Sequence, residues 1–185
     1  MKLTITKREG KNKSAVKQIR RDGNVPAILY SAGKPCENIV VNGTEFSTVL
    51  REMKPGRLST TIFSLEMDGK KRRAIVKDIQ YQLTTYVVSH LDFEELFDDV
   101  LVNVKVPISC TGGADCAGVK LGGFLRQVIR FVKVQCLPKK IPTEFFVDVR
   151  NLGIRQTKRL SDLALPEGVK PLASLEEVVV VVAKR

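Results

Sequence analysis

His90, the only histidine of the chain, stands two residues before Asp92 in the segment SHLDF. On a strand, residues two apart share one face, so an imidazole and a carboxylate are expected side by side. Such a pair moves protons when a nucleophile adjoins it, but no Ser or Cys is tied to it by spacing. Without a nucleophile the pair is suited to recognition, contacting the base edges and sugar hydroxyls through which RNA is read. Asp92, Glu94, Glu95, Asp98 and Asp99, with Asp78, offer oxygens to a divalent metal, yet neighbours in sequence are not ligands on a rigid frame, and a solvated acidic segment is expected. Cys36, Cys110, Cys116 and Cys136 form no CxxC pair and lack a fourth clustered zinc ligand, which predicts reduced, mostly buried thiols. In TGGADCAGVKLGG, Gly113 and Gly118 have the spacing of a phosphate-binding loop, but Val119 stands where Lys is needed and Leu121 where Ser or Thr is needed. A turn between strands is expected there, and no metal or cofactor is implied.

The positive charge lies upstream. Seven Lys and Arg fall between Lys7 and Arg21, opposed only by Glu9, and the run leads into the apolar segment Pro26–Tyr30, which carries an aromatic ring. The whole chain of 185 residues holds 31 Lys and Arg against 20 Asp and Glu, a net +11. Residues 1–91 hold 17 basic and 8 acidic side chains, and residues 92–185 hold 14 and 12, so the binding face is expected in the first half. Such a footprint points to a polyanion, and with Lys70, Lys71, Arg72 and Arg73 as a second cluster it points to nucleic acid.

The elements that must position these groups follow from periodicity. Leu3 and Ile5 alternate as in a strand, and Ser14 is placed to cap a helix that Gly23 ends. On that helix Ala15, Val16 and Ile19 face inward, while Lys13, Lys17, Arg20 and Arg21 gather on the opposite face. Strands are expected at Pro26–Tyr30, Glu37–Val41 and Val87–Phe93, a helix at Thr44–Arg51, and a hairpin over Ser59–Ile79 turned at Asp68–Gly69. The second half reads as strands at Val100–Ser109, Gly123–Leu137, Phe145–Val149 and Val178–Ala183, the last a run of five valines suited to burial on both faces. The acidic segment DFEELFDDV marks a break, giving domains 1–93 and 94–185. The fold class is mainly β with short helices: an N-terminal α+β barrel-like domain followed by an all-β C-terminal domain. No apolar run reaches the length of a membrane span, and MKLTITKREG lacks the apolar core of a secretory signal, so a cytoplasmic location is expected.

The motifs KREGK, RRDGNVPAILY, VKDIQ and HLDF, in that order, resemble the family of bacterial large-subunit ribosomal proteins that bind 5S rRNA, in its long form related to the general stress protein CTC. The second-half segments LGGFLRQVIRFVKVQCLPKKIPTEFFVDVRNL and LALPEGVKPLASLEEVVVVV are similar to the β domain of that long form, so the resemblance spans nearly the whole chain. It implies an RNA-binding barrel docked on loop E of 5S rRNA and its flanking helix, with no enzymatic activity. Family contact positions carry over onto Arg8, Arg20, Tyr30, His90 and Asp92. With the charged helix face and the VKDIQ motif, the expected RNA-binding set is Arg8, Lys13, Lys17, Arg20, Arg21, Tyr30, Lys77, Asp78, His90 and Asp92. Asn12, Ser14 and Ser31 replace glycines that many members place around the basic loop and after the Tyr. The implied partners are 5S rRNA, the large ribosomal subunit and, through the second domain, neighbouring ribosomal proteins. The competing readings are an RNA-binding stress factor acting off the ribosome and a small metal-dependent nuclease.

Overall fold

Period-two alternation of apolar residues builds six strands in the first half of the chain, and the hydrogen-bonded order of those strands closes on itself. The computed structural model describes residues 1–8, 12–31, 33–67 and 69–184. They divide into two units, Met1–Val100 and Leu101–Arg185. The expected edge at residues 93 and 94 falls inside a strand of the first unit. That unit contains β1 (Lys2–Lys7), α1 (Lys13–Arg21), β2 (Val25–Tyr30), β3 (Glu37–Val41), α2 (Gly43–Glu52), a 3-10 turn at Leu58–Thr60, β4 (Ile62–Met67), β5 (Lys70–Tyr81) and β6 (Val88–Glu95).

The strands form a closed barrel in the order β1-β3-β2-β6-β5-β4, sealed by the parallel pairing of β1 with β4. Closure leaves no strand edge open to another chain. Leu3, Ile5, Ala27, Leu29, Ile39, Phe63, Val76, Leu91 and Phe93 fill the interior. The Phe63 and Phe93 rings meet edge to face with centroids 6.2 Å apart, the arrangement that aromatic quadrupoles favour. Helix α2 adds Phe46 to this core. Its N-terminus is capped by Asn42, whose side chain accepts from the amides of Thr44 and Glu45. Glu45 in turn accepts from the Thr4 amide at 2.8 Å, tying the helix to β1.

Helix α1 starts earlier than Ser14 would allow as a cap. Asn12 holds the extended N-cap conformation, and the first helical bond runs from the Val16 amide to the Asn12 carbonyl at 3.2 Å, so Ser14 is already inside the helix. Its end agrees with the sequence: Gly23 takes φ 77°, its amide donates to Arg20, and the Asn24 amide donates to Ile19, the paired bonds of a left-handed C-cap. Ala15, Val16 and Ile19 are only half-buried, and the helix has no fully buried residue. In the hairpin, Met67 pairs with Lys70; Asp68 of the expected turn lies outside the described residues, as do Glu9, Gly10 and Lys11 of KREGK.

The second unit contains β7 (Val102–Thr111), α3 (Ala117–Lys120), β8 (Gly123–Gln127), β9 (Phe131–Cys136), β10 (Phe145–Asp148), β11 (Thr157–Arg159), β12 (Lys170–Pro171) and β13 (Val178–Lys184), with 3-10 turns at Pro138–Lys140 and Leu160–Asp162. They form a sheet of order β10-β7-β9-β12 and another of order β11-β13-β8. The single strand expected at Gly123–Leu137 is thus two strands in different sheets. The chain leaves β13 where the amides of Val128 and Ile129 both turn to the Val179 carbonyl, and Gln127 Nε2 donates to the carbonyls of Ile108 and Ile129 across the change of sheet. The glycine-rich window holds the short helix α3 as well as turns. The valine run is the central strand of its sheet, with Val179 and Val180 both fully buried, as residues on opposite faces of a doubly covered strand must be. No helix of the described residues is long and apolar enough to cross a membrane.

The junction that holds α1 beside α2 is a close backbone approach. A Cβ added to Gly43 would stand 1.9 Å from the Gly23 carbonyl oxygen. Gly43→Ala is therefore expected to destabilise the first unit by about 1–3 kcal/mol, the usual cost of overpacking, measured by urea unfolding of the full chain against wild type.

Candidate nucleic-acid interface

The core consumes one face of every barrel strand, so chemistry is left to the outer face. Along β6, Leu91 and Phe93 point inward, which turns His90, Asp92 and Glu94 outward. Along β2, Leu29 points inward and Tyr30, 36% exposed, turns out. The parallel pairing of β2 with β6 sets Ile28 beside Asp92, and the β2–β3 pairing sets Ile28 beside Asn38. Arg8, just past β1, donates its amide to the Asn38 carbonyl at 2.9 Å and its Nη2 to Asn38 Oδ1 at 3.4 Å. One row across the barrel surface therefore reads Arg8, Asn38, Ile28, Asp92 and Asp78, its strands separated by roughly 4.8 Å each.

Asp78 belongs to this row only because β5 is irregular. Val76 pairs with Phe93 and Asp78 with Asp92, leaving Lys77 as an extra residue. Simple alternation from Ala74 and Val76 would point Asp78 into the core. The bulge reverses the phase, a common device for re-aiming side chains at a site. It brings out Asp78 and then Gln80, opposite His90. The released Lys77 places its Nζ 2.6 Å from Glu94 Oε2.

The centre of the face is a bonded cluster. Tyr30 Oη donates to Asp92 Oδ2 at 3.0 Å, and His90 Nδ1 lies 2.8 Å from Asp92 Oδ1 without the alignment of a hydrogen bond. Asp92 thus orients an aromatic ring and an imidazole together, and its oxygens keep lone pairs for a further donor. Helix α1 borders the cluster at the start of β6, where Arg20 Nε donates to the Ser89 carbonyl at 3.1 Å. Lys13, Lys17 and Arg21 on the same helix are exposed and make no side-chain hydrogen bond or ion pair among the described residues. The ten expected positions therefore divide: Arg8, Tyr30, Asp78, His90 and Asp92 share the strand surface, Arg20 links it to the helix, Lys13, Lys17 and Arg21 carry its charge, and Lys77, the bulge residue, is taken up by Glu94.

The remaining acidic and basic runs are spent within the protein. Arg72 pairs with Glu37 at 3.0 Å and Arg73 with Asp98 at 2.5 Å, so among the described residues the second basic cluster leaves Lys70 and Lys71 without an ion pair. Glu95 accepts from Ser31 Oγ and adjoins Arg72. The acidic segment is thus not a solvated linker: its first four residues, Asp92–Glu95, complete β6, and its carboxylates neutralise neighbouring strands. Sequence reasoning missed Asn38 and Gln80. Their only signals were polar side chains at outward positions, and for Gln80 that signal carried the wrong phase until the bulge was known. Among the cysteines, Cys116 and Cys136 are buried, Cys110 is half-buried and Cys36 exposed, all as free thiols; burial raises the thiol pKa of Cys110 and Cys136.

Comparison with known proteins bears on both units. Residues 3–93 match the Ribosomal L25p family, and residues 101–185 match the C-terminal domain of ribosomal protein TL5. Over 185 residues, 100% of each chain, the sequence is 51% identical to the large ribosomal subunit protein bL25 of Chlamydia abortus and 51% identical to that of Chlamydia trachomatis. It is 49% identical over the same extent to the bL25 of Chlamydia pneumoniae.

The cluster predicts its own titration. Partial burial, then the hydrogen bond to Asp92, then the nearby carboxylates hold the Tyr30 phenol above the ordinary tyrosine value. The bond is intact below that ordinary value and is lost as pH rises through the raised one. Ultraviolet difference titration of wild type against Tyr30→Phe is expected to show one late-ionising phenol, and Asp92→Asn is expected to move that phenol back toward the ordinary range.

Proposed function

Because this chain belongs to the family of bacterial large ribosomal subunit proteins bL25, in its long two-domain form, we propose that it is built into that subunit by its first unit binding 5S rRNA at the loop E region. The family is structural and not enzymatic. What carries the reading is the tie between Arg20 and Ser89, which sets a cationic helix beside the cluster of Tyr30, His90 and Asp92. The two parts divide the work that RNA recognition requires.

Lys13, Lys17 and Arg21 take phosphates, which position the protein without reading sequence. Tyr30 stacks or donates, while His90, Asp92, Asp78 and Gln80 meet base edges and 2′-hydroxyls on a widened, irregular groove. Two carboxylates opposed across β5 and β6 repel each other and any phosphate. They favour an RNA surface that presents amino groups and hydroxyls, and so an internal loop over a regular duplex flank. Arg8 extends the contact to the far end of the row.

Binding of 5S rRNA to the full chain separates the roles. Lys17→Ala is expected to weaken binding to any RNA and to flatten the plot of log K against log salt by roughly 0.7 to 0.9. Tyr30→Ala is expected to cost about 1–3 kcal/mol with the slope kept. Unchanged slope in Lys17→Ala removes the phosphate assignment. For Asp92→Asn, specific affinity is expected to fall by about 1–3 kcal/mol with discrimination against an unrelated structured RNA reduced. Tighter binding to both RNAs would instead mark Asp92 as a repulsive bystander.

A further inference from the structure

The second unit, residues 101–185, carries 14 basic against 7 acidic side chains, and its sheet does not distribute that charge evenly. In the β10-β7-β9-β12 sheet, Val102, Val104, Val132 and Val134 point to the buried side. The opposite side carries Lys105 directly across from Lys133, and Lys170 across from Gln135 on the next strand. All three lysines are exposed and make no ion pair among the described residues. Like charges directly opposed on a sheet are destabilising, so this arrangement costs the isolated protein something and solubility alone does not require it.

The same side exposes aromatic surface. Phe131, paired with Pro107 one step along from Lys133, is 48% exposed, and Phe146 on β10 is 59% exposed. Beside Phe131 lies a hollow of about 270 Å³ lined by Ile129, Lys133, Leu172 and Glu177. The acidic groups nearest β10 are engaged: Glu144 accepts from Ser109, and Asp148 from the Arg150 amide. Cations separated by roughly 4.8 Å across strands and 6.6 Å along them match the scale of successive phosphates, and an exposed ring beside a hollow suits an unstacked base.

We propose that this open sheet face is a second RNA-binding surface, in which Lys105, Lys133 and Lys170 hold backbone phosphates and Phe131 stacks on an unpaired base seated in the adjoining hollow. It is carried by residues separate from those of the first unit and does not rest on the 5S rRNA reading.

The test uses the full chain carrying Lys17→Ala and Tyr30→Ala, so that the first interface is weakened, with a short RNA hairpin bearing one unpaired adenosine as the probe. Adding Lys105→Gln with Lys133→Gln is expected to lower the salt slope by a further 1.4 to 1.8 or so, two phosphates' worth, and Lys105→Arg with Lys133→Arg to retain it. Phe131→Leu is expected to weaken binding between about fivefold and 150-fold with the slope kept. All these side chains are exposed, and unchanged thermal melting confirms folding. If neither slope nor affinity moves, the second surface is overturned while the first interface stands. In large subunits carrying Phe131→p-benzoylphenylalanine, cross-links to RNA support the proposal, and cross-links to protein alone overturn it.

Discussion

The parallel pairing of β2 with β6 is the interaction on which the first unit depends. It joins residues 64 apart in the chain, seals the barrel between its two halves, and brings the Tyr30 hydroxyl to Asp92. A parallel pair cannot be made by a tight turn, so everything between the two strands must fold as the crossover: β3, α2, β4 and β5 are that connection. Inward side chains from both strands, Leu29 and Phe93 among them, make the pairing also a core contact. The recognition cluster is the outer side of the same pairing, so the geometry that stabilises the fold also orients the site.

Charge is arranged with equal economy. The acidic residues of β6 and the turn after it are not left as a repulsive block, since Lys77, Arg72 and Arg73 neutralise Glu94, Glu95 and Asp98. Among the described residues the cationic face of α1, a helix with no fully buried residue, makes no ion pair. Its last-turn Arg20 and Arg21 suit a helix C-terminus, which anchors charge beside the cluster at little structural cost. Exposed pairs contribute little to stability; their consequence here is the sign of the surface presented to a partner.

Most elements were legible because their signals are local. The alternation at β1, the Gly23 end of α1 and the five valines of β13 each act within a few residues. The misreadings have physical causes. Ser14 and Asn12 are both good caps, and the choice was made by which backbone turned helical first. The continuous apolar pattern from Gly123 to Leu137 hid a change of sheet, because residues feeding two cores look alike to residues feeding one.

The amino-acid sequence by itself determined the charge asymmetry, the basic helix face, the sharing of one face by His90 and Asp92, and the ordered motifs of the family. These depend on residue type and on periods of 3.6 or 2, which the chain carries locally. Only the tertiary structure decided that Tyr30 bonds Asp92, that half of the second basic cluster is neutralised, and that a bulge at Lys77 turns Asp78 outward. It also decided that Lys105 faces Lys133 on an open sheet. Each of these is a matter of register between strands distant in sequence, and register is set by barrel closure and core packing, which no local pattern contains.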